Sequence, residues 1–232
     1  FVSTTGQYAY ASPAPDEIRG PCPGLNAAAN HGYIPRNGML TIEQTVDGLG
    51  QAYGMSPEFS AFLAAYAIAM TGDVLTEQWS IGGPMPATTV GGLLGTPQGI
   101  SYSHNKYEGD TSIGRPDAYL NNGDAHSLDV NRFAKAYASG LSDDRYTLDR
   151  FRIDSAENQF DSVRKNPYYF SPLFAGTLVA PAAYNFVINF MSNHSAEEPS
   201  GYLNGDMFKQ FFAVTGDYPN FTWLPGQERI PE

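Results

Sequence analysis

The sequence predicts a mainly α-helical fold in a single compact domain over residues 1–232. Six segments after residue 40 are predicted as helices, and most of them begin near an N-capping residue or a proline. Only one short stretch, 100–103, has a strand signal, and no long run alternates. The 24 glycines and 17 prolines among 232 residues indicate long connections between the helices. A chain of this length can bury one sizeable core.

The helices are predicted in order from their start signals. Thr41 and Ser56 are N-cap candidates, and Pro57 suits a first helical turn because its missing N–H costs nothing there. The segment 82–99 contains too many glycines and prolines for a regular element and predicts an irregular loop. The predicted helices after residue 40 span 42–52, 57–70, 129–139, 148–164, 181–192 and 202–215.

The first helix is predicted around the single cysteine. Pro23 suits the first helical position, and Gly32 supplies a left-handed stop. Cys22 then occupies the cap, where its sulfur faces the free N–H groups of Gly24 and Leu25 and the positive end of the helix dipole. Both favour a thiolate, which can act as a nucleophile, a redox centre or a metal ligand.

Several roles for Cys22 are open from the residues alone. It can be a small buried apolar residue without chemistry. A cysteine protease needs a histidine base, but no local signature selects one of the four histidines. Zinc needs three further ligands, and the single cysteine and scattered histidines give little support for them. The remaining case is a single thiolate ligand to a metal that is already bound by other groups, such as haem iron.

The composition excludes several partner classes. The formal charge of −11 makes nucleic acid and anionic membranes poor partners. The charge-free run 166–196 is largely apolar over 175–191, but Pro181, Asn185 and Asn189 argue against a membrane span and favour a buried helix. The two N-x-[ST] sequons at Asn193 and Asn220, together with a first residue other than Met, favour a processed, secreted glycoprotein. We expect a monomer or weak dimer.

The segment around the cysteine resembles a known family. Pro21-Cys22-Pro23, followed by Leu25-Asn26, His31-Gly32-Tyr33 and Pro35-Arg36-Asn37-Gly38, is similar to the proximal segment of the short fungal haem-thiolate peroxidases, the family of chloroperoxidase and the unspecific peroxygenases. The resemblance implies that Cys22 is the axial ligand of haem b, and that the helices and long loops surround a buried haem. Thiolate ligation favours O–O cleavage of a bound peroxide. The resemblance also implies that hydrogen peroxide and small apolar or aromatic molecules are the substrates.

An acidic motif offers hard oxygen ligands close together in sequence. The Glu108 carboxylate, the Gly109 carbonyl and the Ser112 hydroxyl suit Mg²⁺, although such a run also occurs as an acidic turn in solvent. In the peroxygenases that this chain resembles, a Glu-Gly-Asp-x-Ser motif binds magnesium beside a haem propionate. The resemblance therefore implies Mg²⁺ here. A hydrolytic metal site at His104 and Glu108 is disfavoured by Gly109 and by the absence of an HExxH pattern.

The distal acid of the family has no obvious counterpart. Peroxide cleavage calls for a group that carries a proton between the two oxygens, and the family uses a glutamate. A gapless count from Asn166 and Pro167 places that position at Ala182, and a gapped count places it at Thr177. Neither is a carboxylate. The chain is then a natural divergent member or an engineered variant, or a remote group such as Glu157 fills the role.

The sequence leaves two functions open. The first is an extracellular haem-thiolate peroxygenase or peroxidase. The alternative is a haem-binding protein with lost or altered peroxide chemistry, acting as a small-molecule binder or a non-oxidative enzyme. A hydrolase lacks support because the chain has no G-x-S-x-G motif. The residues predicted to line an apolar pocket, although core packing explains them equally well, are Tyr107, Phe174, Thr177, Tyr184 and Phe186.

Overall fold

The computed structural model describes residues 2–86 and 96–232. Helices dominate these residues, and the mainly α prediction is confirmed. Two short antiparallel two-stranded sheets accompany them among these residues, one pairing β1 with β2 and the other, a hairpin, pairing β3 with β4. The elements in chain order are α1 (Pro23–Asn30), β1 (Met39–Thr41), α2 (Ile42–Tyr53), α3 (Pro57–Thr71), β2 (Gln78–Ser80), α4 (Val130–Ala138), α5 (Leu148–Lys165), α6 (Ala180–Phe190), α7 (Gly205–Phe211), β3 (Val214–Asp217) and β4 (Asn220–Trp223).

Capping side chains fix most of the helix starts. Thr41 forms a capping box with Gln44 at the start of α2, and Ser56 accepts a hydrogen bond from the Phe59 amide at the start of α3. Asp129 and Thr147 cap α4 and α5 in the same way. Each side chain satisfies an amide that has no partner within its helix. The predicted starts of α2, α3 and α5 are confirmed, and Asp129 is the cap of α4 rather than its first residue.

Helix α1 lies between two apolar clusters. Ala27 packs in a cluster built mainly from α4, α5, α6, α7 and the hairpin β3–β4. Ala28 and Ala29 pack in the other cluster, which α2, α3 and β2 contribute. The small alanine side chains let the neighbouring elements approach α1 from both sides. The N-terminus of α1 therefore lies at the boundary between the two clusters.

Two predicted elements are wrong in type or extent. The predicted strand at 100–103 is a 3₁₀ turn, Ile100–Tyr102, and the Ser103 hydroxyl donates to the Ile100 carbonyl. The predicted helix 202–215 is shorter, because Asn204 caps α7 and Ala213 adopts a left-handed φ of 52°. Val214 then begins the hairpin β3–β4.

The apolar segment before residue 191 forms one helical rod. A π-helical turn, Ala175–Val179, leads directly into α6. No helix among residues 2–86 and 96–232 is long and apolar enough to cross a membrane. Of the predicted loop 82–99, residues 87–95 lie outside the described residues, and the remainder has no helix or strand.

Candidate active site

An apolar cavity opens where the two clusters meet. Cys22 and Pro23 line it at the N-terminus of α1, and Ala182 and Phe186 of α6 line another part of its wall. The cavity and its open mouth together enclose about 1210 Å³ of empty space. Helices α2 and α3 complete the wall with residues that the sequence analysis missed, because nothing local marks a helix face as cavity lining. These are Thr45, Leu49, Tyr53, Phe59 and Leu63.

The side chains of Asn26 in α1 and of the distant Arg115 hold the cysteine loop in place. The Asn26 side chain accepts from the Gly20 amide and donates to the Gly20 carbonyl, both at 2.9 Å. Arg115 Nε donates to the Pro21 carbonyl at 2.8 Å. Hydrogen bonds therefore hold the two residues that precede Cys22, which fixes the position of Cys22.

The environment of Cys22 differs from the predicted helix cap in one respect. Pro23 occupies the first turn of α1 and Cys22 is the N-cap, as predicted. Burial nevertheless raises the pKa of the Cys22 thiol, and the amides of Leu25 and Gly24 and the charge of Arg115 lower it by less. Burial in the apolar wall therefore affects the pKa of the Cys22 thiol more than the helix N-terminus does. A positive metal centre at the sulfur would favour the thiolate.

Three oxygen atoms of the acidic motif converge beside the cavity. The Ser112 hydroxyl lies 2.6 Å from Glu108 Oε1 and 3.2 Å from the Gly109 carbonyl oxygen. Burial raises the pKa of the Glu108 carboxyl, whereas the Ser112 hydroxyl and Arg115 lower it. No group of three or more His, Cys, Asp or Glu side chains in the described parts of the chain converges on a metal position. The motif thus supplies one carboxylate, one carbonyl and one hydroxyl.

Asp110 has a different role from its neighbours in the motif. Its carboxylate accepts from the Ala118 amide and from Asn166 Nδ2, each at 3.0 Å. Thr111 next to it adopts a φ of 71°, a conformation that is uncommon for a residue with a β-carbon. These contacts fix the turn that places Glu108 and Ser112 in the cavity lining.

The part of α6 that lines the cavity is apolar. Ala182, the position from the gapless count, lines the cavity, whereas Thr177 is exposed and is not in the lining. Glu157 is 59% exposed and pairs with Lys135 at 3.0 Å, so the structure does not place it in the site. Among the described lining residues, the only carboxylate is that of Glu108.

The other predicted pocket residues divide into two groups. Tyr107 and Phe186 line the cavity. Phe174 and Tyr184 do not, and with Thr177 they are corrections to the predicted lining. The Phe174 ring stacks on Tyr66, and the buried Tyr184 hydroxyl donates to the Thr111 carbonyl and pairs with the Asn158 side-chain amide. Contacts with other aromatic rings therefore account for Phe174, and a buried polar network accounts for Tyr184.

Fold and cavity together define a helical protein with a cysteine in the wall of an apolar pocket. The family model for peroxidase, family 2, matches residues 8–232. The chain therefore belongs to peroxidase family 2, the family of short fungal peroxidases and peroxygenases.

Three curated relatives illustrate the family. The dothistromin biosynthesis peroxidase dotB of Dothistroma septosporum is 41% identical over 235 residues, which cover 100% of this chain and 56% of the relative. The aromatic peroxidase fscJ of Fusarium equiseti is 32% identical over 240 residues, 99% of this chain and 54% of the relative. This chain spans about half the length of these two proteins. An aromatic peroxygenase of Coprinellus radians is 32% identical over 199 residues, 81% of this chain and 72% of the relative.

Proposed function

We propose that the protein is a haem-thiolate peroxygenase or peroxidase that uses hydrogen peroxide to oxygenate or oxidise small apolar or aromatic molecules. The observation that carries the proposal is the position of Cys22, which lines an apolar cavity from the N-cap of α1. The names of the relatives support the same class of reaction.

The residues present fit haem b. The cavity offers one thiol, that of Cys22, and an otherwise largely apolar lining, as a flat hydrophobic macrocycle requires. Arg115 also lines it and is buried, and its terminal nitrogen Nη1 has no hydrogen-bond partner in the described part of the chain. A carboxylate of the cofactor is a suitable partner for this cation. Bound there through Cys22, the iron would supply peroxide activation.

We also propose Mg²⁺ at Glu108, Gly109 and Ser112. The support is that the Glu108 carboxylate and the Gly109 carbonyl oxygen both lie within hydrogen-bonding distance of the Ser112 hydroxyl. The Glu108 carboxylate is also buried and forms no salt bridge with a basic side chain of residues 2–86 or 96–232. Mg²⁺ prefers such ligands and completes its octahedron with water or anionic groups. A cation at this position would stabilise the charged form of Glu108.

The protein's own residues orient the substrate and exclude water, but they offer little help with proton transfer. The aromatic rings of Phe59 and Phe186 pack edge to face 5.8 Å apart in the cavity wall and can position an aromatic substrate. Ala182, the position that the gapless count gives for the family's glutamate, contributes only a methyl group to the cavity lining. This observation favours the second candidate function, a haem protein with inefficient peroxide chemistry, because loss of an acid–base group typically costs about 10²–10⁴-fold in rate.

An extracellular location is part of the proposal. The side chains of Asn193 and Asn220 are exposed, so both sequons are accessible to glycosylation. Intact-mass measurement of protein secreted by a eukaryotic host, before and after glycosidase treatment, tests this point. A glycan at either asparagine supports it, and an unglycosylated product that stays in the cell contradicts it.

The reaction is tested with haem-loaded protein, a benzylic substrate and ¹⁸O-labelled hydrogen peroxide. A peroxygenase gives the benzylic alcohol with ¹⁸O in the product. Product without the label, or phenol coupling alone, indicates a peroxidase. Haem binding with neither oxidation of the benzylic substrate nor phenol coupling indicates the alternative function.

A further inference from the structure

We propose that Tyr66, Phe174 and Tyr107 form an aromatic relay through which the protein oxidises bulky phenols at its surface by one electron. The proposal rests on the peroxide activity proposed above and adds a second class of substrate, namely phenols too large to enter the cavity. The ring of Tyr66 is the surface site of this reaction.

The three rings connect the cavity to the surface. Tyr107 lines the cavity. Its ring centroid lies 5.7 Å from that of Phe174 and 6.0 Å from that of Tyr66. Phe174 and Tyr66 are stacked, with centroids 3.4 Å apart and planes inclined by 15°. No saturated side chain has to carry the electron between these rings.

The outer end of the relay is accessible. Tyr66 is only half-buried on α3, and Phe62, one turn earlier on α3, is 49% exposed. The Phe62 ring also contacts Phe174, with centroids 6.1 Å apart. These rings present an aromatic surface on which a phenol can stack in an offset or edge-to-face arrangement.

Tyrosine is the suitable residue for the outer position, because its phenol can be oxidised and then restored. One electron leaves Tyr66 through the ring stack toward the cavity, and its phenolic proton passes to solvent, which leaves a neutral tyrosyl radical. A phenol at the surface then returns one electron and one proton and becomes a phenoxyl radical. Two such cycles deliver two electrons, and with two protons from solvent one hydrogen peroxide becomes two waters. Peroxide is the only oxidant required.

The test uses haem-loaded protein and a phenol coupled to dextran, which cannot enter the cavity. We expect wild-type protein to oxidise the polymer-bound phenol and Tyr66→Phe to lose this activity while benzylic turnover is retained. Tyr119→Phe is the matched control, since Tyr119 is 54% exposed and its ring contacts Tyr168 rather than the cavity. Freeze-quench electron paramagnetic resonance should show a tyrosyl radical in wild type and Tyr119→Phe that is lost in Tyr66→Phe.

The outcomes separate the relay from the proposed function. No benzylic or phenol turnover by wild-type protein contradicts the proposed function itself. Turnover of small substrates with equal polymer oxidation by wild type and Tyr66→Phe overturns the relay. Phe174→Leu provides a second variant that leaves both tyrosines in place, and we expect it to reduce the radical at Tyr66. An unchanged radical in Phe174→Leu together with unchanged polymer oxidation in Tyr66→Phe refutes the proposal.

Discussion

Replacement of Asn30 by alanine should destabilise the protein severely. Asn30 lies at the last position of α1 and is 0% exposed. Its Nδ2 donates to the carbonyls of Gly226 and Glu228 at 2.8 and 2.7 Å, and its Oδ1 accepts from Arg19 Nε at 2.8 Å. One side chain thus joins the helix of Cys22 to the C-terminal segment.

The expected loss of stability follows from the hydrogen-bond partners that the substitution leaves unpaired. Each buried group left without a hydrogen bond costs about 1–3 kcal/mol, so three partners suggest a loss of about 3–6 kcal/mol after partial relaxation. This is a large part of the ~5–15 kcal/mol that holds a typical domain folded. Because α1 ends at this contact, we also expect Asn30→Ala to retain haem less well.

Urea unfolding followed by circular dichroism measures the effect. The midpoint should fall while the slope with denaturant concentration stays unchanged, because the surface exposed on unfolding is the same. Asn121→Ala is the control, since its half-buried side chain makes a single hydrogen bond to the Asp124 carbonyl, worth about 0.5–1.5 kcal/mol. A loss in Asn30→Ala no larger than that in Asn121→Ala would refute this reasoning.

Three further predictions follow from the site and its surroundings. Ala182→Glu places a carboxyl in the cavity lining and should raise peroxide turnover by about 10²-fold or more. Thr177→Glu, on the exposed side, should not raise it. A larger gain in Thr177→Glu than in Ala182→Glu contradicts the assignment of position 182 to the site. Mg²⁺ should raise the melting temperature of haem-loaded wild-type protein but not that of Ser112→Ala. Equal increases in the two proteins argue against the proposed Mg²⁺ site. Burial raises the pKa of Asp154 to about 6, so its contribution to stability falls as pH rises from 4 toward 6. Asp154→Asn should flatten the stability profile in this range, and an unchanged profile contradicts that pKa.

Local signals predicted the helices well because capping is a local interaction. Thr41, Ser56 and Pro57 act within one turn of their own helices, and the structure confirms each start. The hairpin after α7 was missed because the backbone reverses at Ala213, a residue with no intrinsic preference for its left-handed conformation. Gly216, Asp217, Pro219 and Asn220 are turn-forming residues at the tip of the hairpin, but they do not indicate that α7 ends before Ala213.

The supports of the candidate site were beyond the reach of sequence patterns. Arg115 and Pro21 are 94 residues apart, and Asn30 and Glu228 are 198 apart. Such contacts depend on how the two apolar clusters pack around α1, and no local spacing encodes that packing. For the same reason Phe174 and Tyr184 look like pocket residues in sequence although other contacts occupy them.

The carbon monoxide difference spectrum of the reduced, haem-loaded protein tests the role of Cys22 most directly. Wild-type protein should give a Soret band at about 450 nm, as we expect of thiolate ligation. Cys22→Ser, which differs only in replacing sulfur by oxygen, should lose that band. The same band in both proteins, or no haem uptake by well-folded wild-type protein, would contradict the assignment of Cys22 as the iron ligand.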